Sequence, residues 1–589
     1  MANSSDFDTD VLIVGSGPMG ATTALALASY GVRAHVVSRA NWTADTPRAH
    51  ITNQRAIEVL RDLGIEDQVR REGTPWAWMG DTLFTTSLAG PEIARLRTWG
   101  TGDERIGDYL QASPCGFLDV PQNRMEPILV KNAAARGARF SFNTEYLGYV
   151  EDGDGVTVEL ASRDSGRRHT MRARYLVGAD GARSKVLEDA GLEVEGHFAR
   201  AGTVYTLFDA DLSRYAAHRP SILYWIVSPN AAFGEIGLGL LRAIEPWTKW
   251  ISGWGYDMSK GEPDMSPEEV TRRIRILVGD PSLEIEIDNT STWYVNQAWA
   301  PVYSKGRVFC GGDAVHRHPP SSGLGSNTCM GDAFNLAWKL AFVVKSWAGA
   351  SLLDSYSLER APVGRQIVMR ANQSRLDYAP LNACFRDPTA DNPVVAGLEK
   401  LAGADDEGRA RRAALAEALE LKNTEFNAEG VEMNQRCDSA AVIPDPDAGP
   451  EQWHRDPQLY VQATTRPGAK IAHCWLVGRD GRRVSTLDVV GKGKFTLLTG
   501  ISGTAWVKAA ASLGLPWLRT VVIGEPGAQD LYYRWHRLRE IDEAGALLVR
   551  PDAVVAWRSM TAASDSADAR GRLEDALTRV LDRARLKGA

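Results

Sequence analysis

The chain has 589 residues, 44% hydrophobic and 24% charged, the balance of an ordinary globular protein with room for roughly three or four domain-sized units. A formal net charge of −7 argues against a nucleic-acid binder, and no run approaches the ~18 apolar residues needed to cross a bilayer. The polar, acidic Met1–Asp10 does not read as a secretory signal, and six scattered cysteines without a CxxC pair predict reduced thiols, no metal site and a cytoplasmic protein.

Asp10–Val14 reads as a short buried strand. Gly15-Ser16-Gly17-Pro18-Met19-Gly20 follows, then an alanine-rich helix to about Tyr30 and a second strand at Arg33–Val37. This context is what a dinucleotide fingerprint requires. Gly15 permits the tight turn, Gly17 lets a pyrophosphate approach, and Gly20 lets the helix pack on the sheet. Gly15, Gly17, Pro18 and Gly20 are therefore cofactor-binding candidates, with the helix start offering N–H groups to phosphate. The acid expected at the end of the second strand is missing; Val37-Ser38-Arg39 stands there. Ser38 offers a neutral hydrogen bond to the adenosine side. Arg39 suits a 2′-phosphate or the basic residue common beside this strand in FAD enzymes.

A helix is expected over Asn53–Leu63 and another over Arg124–Arg136, with many turns between them. Segments 140–150, 154–162 and 170–178 read as strands of a small sheet. Between Gly202 and Trp254, runs rich in Val, Leu, Tyr and Trp predict a separate antiparallel sheet. Residues 391–440 are charged and helical in pattern, Asp445–Gly449 has linker composition, and 455–562 reads as a final α/β unit.

Two further motifs bear on the cofactor. Tyr175-Leu176-Val177-Gly178-Ala179-Asp180-Gly181 runs from a strand into a turn. Arg307–His316 contains Gly312-Asp313-Ala314 and continues through Pro319, Pro320, Gly323, Gly325, Ser326 and Asn327 into a helix. With these three motifs in this order, the chain resembles, over its whole length, the flavoprotein aromatic hydroxylases of the para-hydroxybenzoate hydroxylase and phenol hydroxylase type. Pro47–Arg55 (PRAHITNQR), Asp119–Gln122 (DVPQ) and the Gly312–Asn327 run bring it nearest the chlorophenol-acting members.

That resemblance implies an α/β fold with three parts. The first is a Rossmann-like FAD-binding domain of glutathione-reductase-like topology, discontinuous over 1–75, 115–190 and 300–375. The second is an α+β substrate domain on an antiparallel sheet, 76–114 and 191–299. A helical connector, 376–440, leads to a C-terminal thioredoxin-like domain, 441–589. Arg466–Ala469 and Leu548–Asp552 carry the last likeness; without a CxxC it implies no dithiol chemistry, and a structural or subunit-contact role in a homo-oligomer is expected.

The implied activity is single-component hydroxylation of a phenol-like ring, chlorinated or heteroaromatic, through a flavin C4a-hydroperoxide. FAD is bound non-covalently, NADPH or NADH docks transiently without its own nucleotide fold, and O2 supplies the oxygen. Gly312 and the strand-end carboxylate Asp313 would hold the ribityl chain. Pro320, Gly323, Gly325, Ser326 and Asn327 would line the flavin, where helix N–H groups stabilise negative charge. Arg48 and Gln122 would contact FAD. Asp180 serves both FAD and NAD(P)H, or only shapes its turn.

His50 falls where phenol hydroxylases carry an aspartate near the substrate oxygen. It is the candidate general base, with an ordinary pKa near ~6.5, or else a histidine bonding backbone beside the flavin. His316 and His318 flank the flavin loop. Trp76, Trp78, Tyr109, Tyr205, Tyr224 and Trp225 either wall the pocket or fill cores. Two alternatives stay open: a tailoring hydroxylase of a hydroxypyridine or polyketide-type intermediate, and a non-catalytic flavin-binding scaffold, which the missing acid at Ser38 favours.

Overall fold

The computed structural model describes residues 6–198, 201–231, 237–446 and 449–586, so part of the expected linker Asp445–Gly449 lies outside them. Thr9–Val14, buried at every position, lies inside an eight-stranded sheet. It pairs in parallel with Ala34–Val37 on one side and Arg168–Gly178 on the other; Val308–Cys310 and Arg139–Ser141 extend the parallel set. A strand covered on both faces needs apolar residues throughout, which is why DVLIV shows no alternation.

The strand expected at 170–178 does not belong to a separate small sheet. Its first half, polar Arg168–Arg172, pairs antiparallel with Val156–Ser162, whose other neighbour is Thr144–Glu151. Its second half, from Ala173 to Gly178, runs beside Thr9–Val14 in the main sheet. Eleven residues suffice for one strand to serve both layers.

The second sheet has seven strands in the order Glu286–Tyr294, Gly202–Asp209, Lys249–Tyr256, Gly239–Glu245, Leu223–Ile226, Asp81–Thr85, Glu92–Arg97. It was expected to be antiparallel, yet Asp81–Thr85 pairs in parallel with Leu223–Ile226, because it enters from a distant part of the chain. One face, with Val204, Tyr224, Leu241, Trp250 and Trp254, packs on the helix Pro267–Val278. That helix starts at Ser266, which accepts from Glu269 N–H, and stops at left-handed Gly279. Alternation puts Tyr205, Trp225, Leu240 and Arg242 on the other face.

The C-terminal sheet runs Leu518–Ile523, Phe495–Gly500, Ala546–Val549, Val555–Ser559, the first pair parallel and the rest antiparallel. Among the described residues no helix is long and apolar enough to cross a membrane, and no group of three or more His, Cys, Asp or Glu residues is placed to hold a metal. The architecture is mixed α/β.

Candidate functional site

The first glycine turn is closed where backbones meet and open where a ligand would lie. A Cβ on Gly15 (φ +106°) would stand 2.2 Å from Ala179 O, and one on Gly20 1.9 Å from Gly15 O. A Cβ on Gly17 would meet nothing nearer than Glu126 Oε1 at 3.7 Å. The helix Pro18–Ser29 begins with no side-chain cap, so its first N–H groups are left for an anion. Ser38 is buried and bonds Ser16 Oγ at 3.2 Å, while Arg39 is exposed.

A second uncapped helix start lies at Gly325, opening the long helix Gly325–Val344. The loop before it turns through Ser322 (φ 68°) and Gly323 (φ 61°), and a Cβ on Gly323 would stand 2.9 Å from Ile51 Cβ. A Cβ on Gly325 would meet only the His318 ring, at 3.5 Å; Ser326 is half-buried and Pro320 is exposed. Buried Asn327 uses its side chain as a staple. Its Nδ2 donates to Ile51 O (2.9 Å) and Gly323 O (2.6 Å), and its Oδ1 accepts from Asn53 N–H (3.0 Å).

Asp313 is exposed at the end of Val308–Cys310, with the Cys329 thiol 4.0 Å from its carboxylate. The Gly312 N–H before it donates to buried Asp332 (3.1 Å), which also bonds His316 Nε2 (2.9 Å) and Arg360 Nε (2.8 Å). Burial pushes the Asp332 carboxyl up, but Arg360 and His316 overcome that and hold it below the usual range. Asp180 accepts from Ser184 Oγ (2.5 Å) and Val186 N–H (3.2 Å), which shapes its turn. Arg48 is exposed, and its charge works to lower the pKa of Glu126 against the larger effect of burial. Gln122 latches the neighbouring segment: its N–H donates to Ala49 O (2.7 Å), its Oε1 accepts from Ala49 N–H (3.3 Å), and its Nε2 donates to Glu126 (2.6 Å). Open space at Gly17, two uncapped helix starts and an outward carboxylate at Asp313 fit FAD.

His50 stands beside this loop. Ile51–Thr52 pairs with Leu118–Asp119, and Val120 N–H donates to His50 O (2.7 Å). From the second sheet, Arg242 Nε donates to His50 Nδ1 (2.7 Å) and Nη2 donates to Asp119 Oδ2 (2.9 Å). Asp119 Oδ1 lies 3.4 Å from His50 Nδ1 and has no other partner among the described residues. The His50 side chain is 11% exposed; its burial, then Arg242, lower its pKa against the pull of Asp119. The imidazole is therefore neutral at neutral pH. With Nδ1 accepting from Arg242, the proton sits on Nε2.

Of the six aromatic candidates, Tyr205 and Trp225 share the Arg242 face of the sheet, and the Tyr205 phenol is pushed up to about 12 by burial. Gly253 makes room for it, since a Cβ there would lie 2.6 Å from its ring. Tyr224 faces the opposite layer, Trp78 is exposed, and Tyr109, Trp225 and Trp76 belong to or pack against the core around Phe117 and Tyr378. Sequence reasoning missed Arg242, and it quoted Asp119 without a role. The available signal was one arginine inside the apolar run Gly239-Leu240-Leu241-Arg242-Ala243-Ile244.

Residues 8–371 match the FAD binding domain family, and residues 464–584 match the aromatic-ring hydroxylase C-terminal family. The chain is 48% identical to 2,4-dichlorophenol 6-monooxygenase of Cupriavidus pinatubonensis, covering 98% of this chain and 97% of that one. It is 45% identical to phenol 2-monooxygenase of Pseudomonas sp. (strain EST1001), covering 95% and 91%. The crystal structure of the flavin-dependent monooxygenase PieE in complex with FAD and substrate superposes with a TM-score of 0.92 at 42% identity, covering 98% and 99%. The glycine turns, the outward Asp313 and these likenesses agree: the chain belongs to the FAD-dependent aromatic-ring hydroxylases and is a flavoprotein monooxygenase.

Proposed function

We propose that this hydroxylase acts on a phenol, chlorinated phenols included, whose ring oxygen is received by His50 within the Arg242–Asp119 pair. The arrangement of those three side chains beside the Gly323 loop is the observation that carries the reading. The residues that would hold FAD are Gly15, Gly17, Pro18 and Gly20 at the diphosphate, Ser38 and Arg39 at the adenosine, and Gly312 and Asp313 at the ribityl chain. Pro320, Gly323, Gly325, Ser326 and the Asn327 backbone would face the ring system, with Arg48 and Gln122 beside it and Asp180 shaping the adjoining turn. Held there, FAD would supply the redox chemistry: hydride acceptance from NADH or NADPH and delivery of one oxygen atom of O2 to the substrate.

The chain's own contribution is charge and proton control. Buried Arg242 favours a phenolate over a phenol at its side. His50 Nδ1 lies between an arginine donor and a carboxylate acceptor, so two proton placements are open to it. With Nδ1 accepting from Arg242, Nε2–H donates to a phenolate oxygen. With Nδ1–H turned to Asp119, Nε2 accepts the phenol proton, and Asp119 steadies the resulting cation. Either placement leaves the ring richer in electrons at its ortho and para carbons.

Both curated relatives named above act by name on phenols, which supports this reading over a tailoring hydroxylase. The parallel strand order around Thr9–Val14 supports a glutathione-reductase-like topology. The C-terminal order, with its third strand reversed against the rest, supports a thioredoxin-like domain over 441–589 with a structural or subunit-contact role. The test is a panel of phenol, chlorophenols, hydroxypyridines and larger phenols given to FAD-loaded protein with NADH or NADPH, with mass detection of products heavier by one oxygen. Oxygenated chlorophenol is expected. Conversion of only the larger phenols would overturn the substrate assignment, and no reductant oxidation with any compound would support the scaffold.

A further inference from the structure

One tight turn of the C-terminal unit reaches into the FAD-binding unit, beside further contacts such as Arg61–Asp488 and Lys470–Glu58. Between Ala546–Val549 and Val555–Ser559 the chain reverses, Arg550 N–H donating to Val554 O (2.8 Å) with Ala553 at φ 65°. Arg550 is wholly buried. Its Nη1 and Nη2 donate to Glu359 at 2.7 and 2.9 Å, and its Nε and Nη2 donate to Asp552 at 3.0 and 2.6 Å. Glu359 also accepts from Lys339 Nζ (2.8 Å), Asn335 Nδ2 (2.7 Å) and Ser439 Oγ (2.6 Å). Two cations face two carboxylates, and the cluster is neutral.

Its attachments run to three helices that shape the cofactor site. Asn335 and Lys339 lie on the long helix that opens at Gly325; Asn335 also reaches Asp552 (3.3 Å). Next to Glu359 on the helix Asp354–Leu376 stands Arg360, which pairs with Asp332, the acceptor of the Gly312 N–H. The Asp552 carbonyl accepts from Arg55 Nη2 (3.0 Å) on the helix Gln54–Asp62, which begins directly after His50–Asn53. This turn therefore ties to both helices behind the flavin loop and to the helix behind His50, which Asp488 and Lys470 also hold through Arg61 and Glu58. Stability alone is a poor account of it, because a buried ion cluster is often no more stabilising than apolar side chains of the same volume.

We propose that Arg550, with Asp552, is a positioning residue for the flavin site. It fixes the spacing between the His50 segment and the Gly312–Asn327 loop from outside the FAD-binding unit. This rests on reading that loop as the flavin-binding one. Two variants test it. Arg550→Lys keeps the charge and loses the fork. Glu359→Gln with Arg550→Met removes one charge of each sign and leaves Lys339 facing Asp552.

Three quantities are measured on full-length protein: apoprotein melting, FAD affinity by fluorescence titration, and hydrogen peroxide released per NAD(P)H at saturating FAD and phenol. Both variants are expected to melt within a few degrees of the parent, bind FAD about 10-fold more weakly, and release at least twice the peroxide. A folded variant with parental affinity and parental peroxide release would overturn the proposal. A parent that takes up no FAD would defeat the loop assignment instead.

Discussion

At the scale of single residues, the role proposed for His50 turns on the charges placed around it. Arg242 holds the imidazole pKa down, so removing its charge lets that pKa rise. Arg242→Gln is expected to move the acid limb of the kcat/KM profile to higher pH, because more of the histidine is protonated and unable to accept at a given pH. It should also lower kcat/KM by about 100-fold, the usual scale for a disturbed general base. A profile with an unmoved acid limb would remove His50 as the titrating group. His50 was legible because it sits in the PRAHITNQR run; Arg242 was not, because a lone arginine in an apolar strand reads as an edge or surface residue until the sheet's faces are known. Asp313 and Asp180 look alike in sequence. The structure separates them, one carboxylate facing outward and the other spent on its own turn.

Among the elements, those bounded by glycine and by continuous apolar runs were the most legible. The helices expected at 53–63 and 124–136 appear as Gln54–Asp62 and Gln122–Ala135, and the first strand–helix–strand unit falls where its glycines put it. Strand 168–178 was misplaced because its polar first half and apolar second half serve different neighbours, and periodicity reports burial, not partner. The parallel pairing of Asp81–Thr85 left no local trace. At the loop before Gly325, Gly323 combines a left-handed φ with contact to Ile51. Gly323→Ala should strain that backbone by ~1–3 kcal/mol, and its FAD dissociation constant should rise about 10-fold or more. Equal flavin fluorescence titrations for variant and parent would show that the loop tolerates the methyl group.

For the molecule as a whole, stability should depend on pH through a carboxyl that no partner satisfies. Glu429, fully buried in the short helix Glu429–Met433, has both oxygens without hydrogen bonds among the described residues, and Arg105 comes no nearer than 4.0 Å. Burial raises its pKa from 4.5 to about 8. Asp108, Lys470, Arg455, Tyr109 and Glu432 also face it. Between those two pH values the folded chain binds a proton that the unfolded chain has lost, so stability falls as pH rises and levels off above about 8. Glu429→Gln is expected to flatten the drop in melting temperature between pH 5 and pH 8 and to melt higher at the upper end. An unchanged difference would mean that the group is ionised in the folded protein.

The parallel pair in the seven-stranded sheet bears on how the chain is made. Asp81 meets Ser221, 140 residues later, so the buried strand carrying Leu83 and Phe84 has no partner on that side while everything between them is synthesised. Such long-range pairings form slowly and leave sticky edges waiting. Nascent chains stalled before residue 223 should therefore lean on chaperones, and fragments cut there should precipitate, whereas those extending past 256 gain the strands that cover the gap.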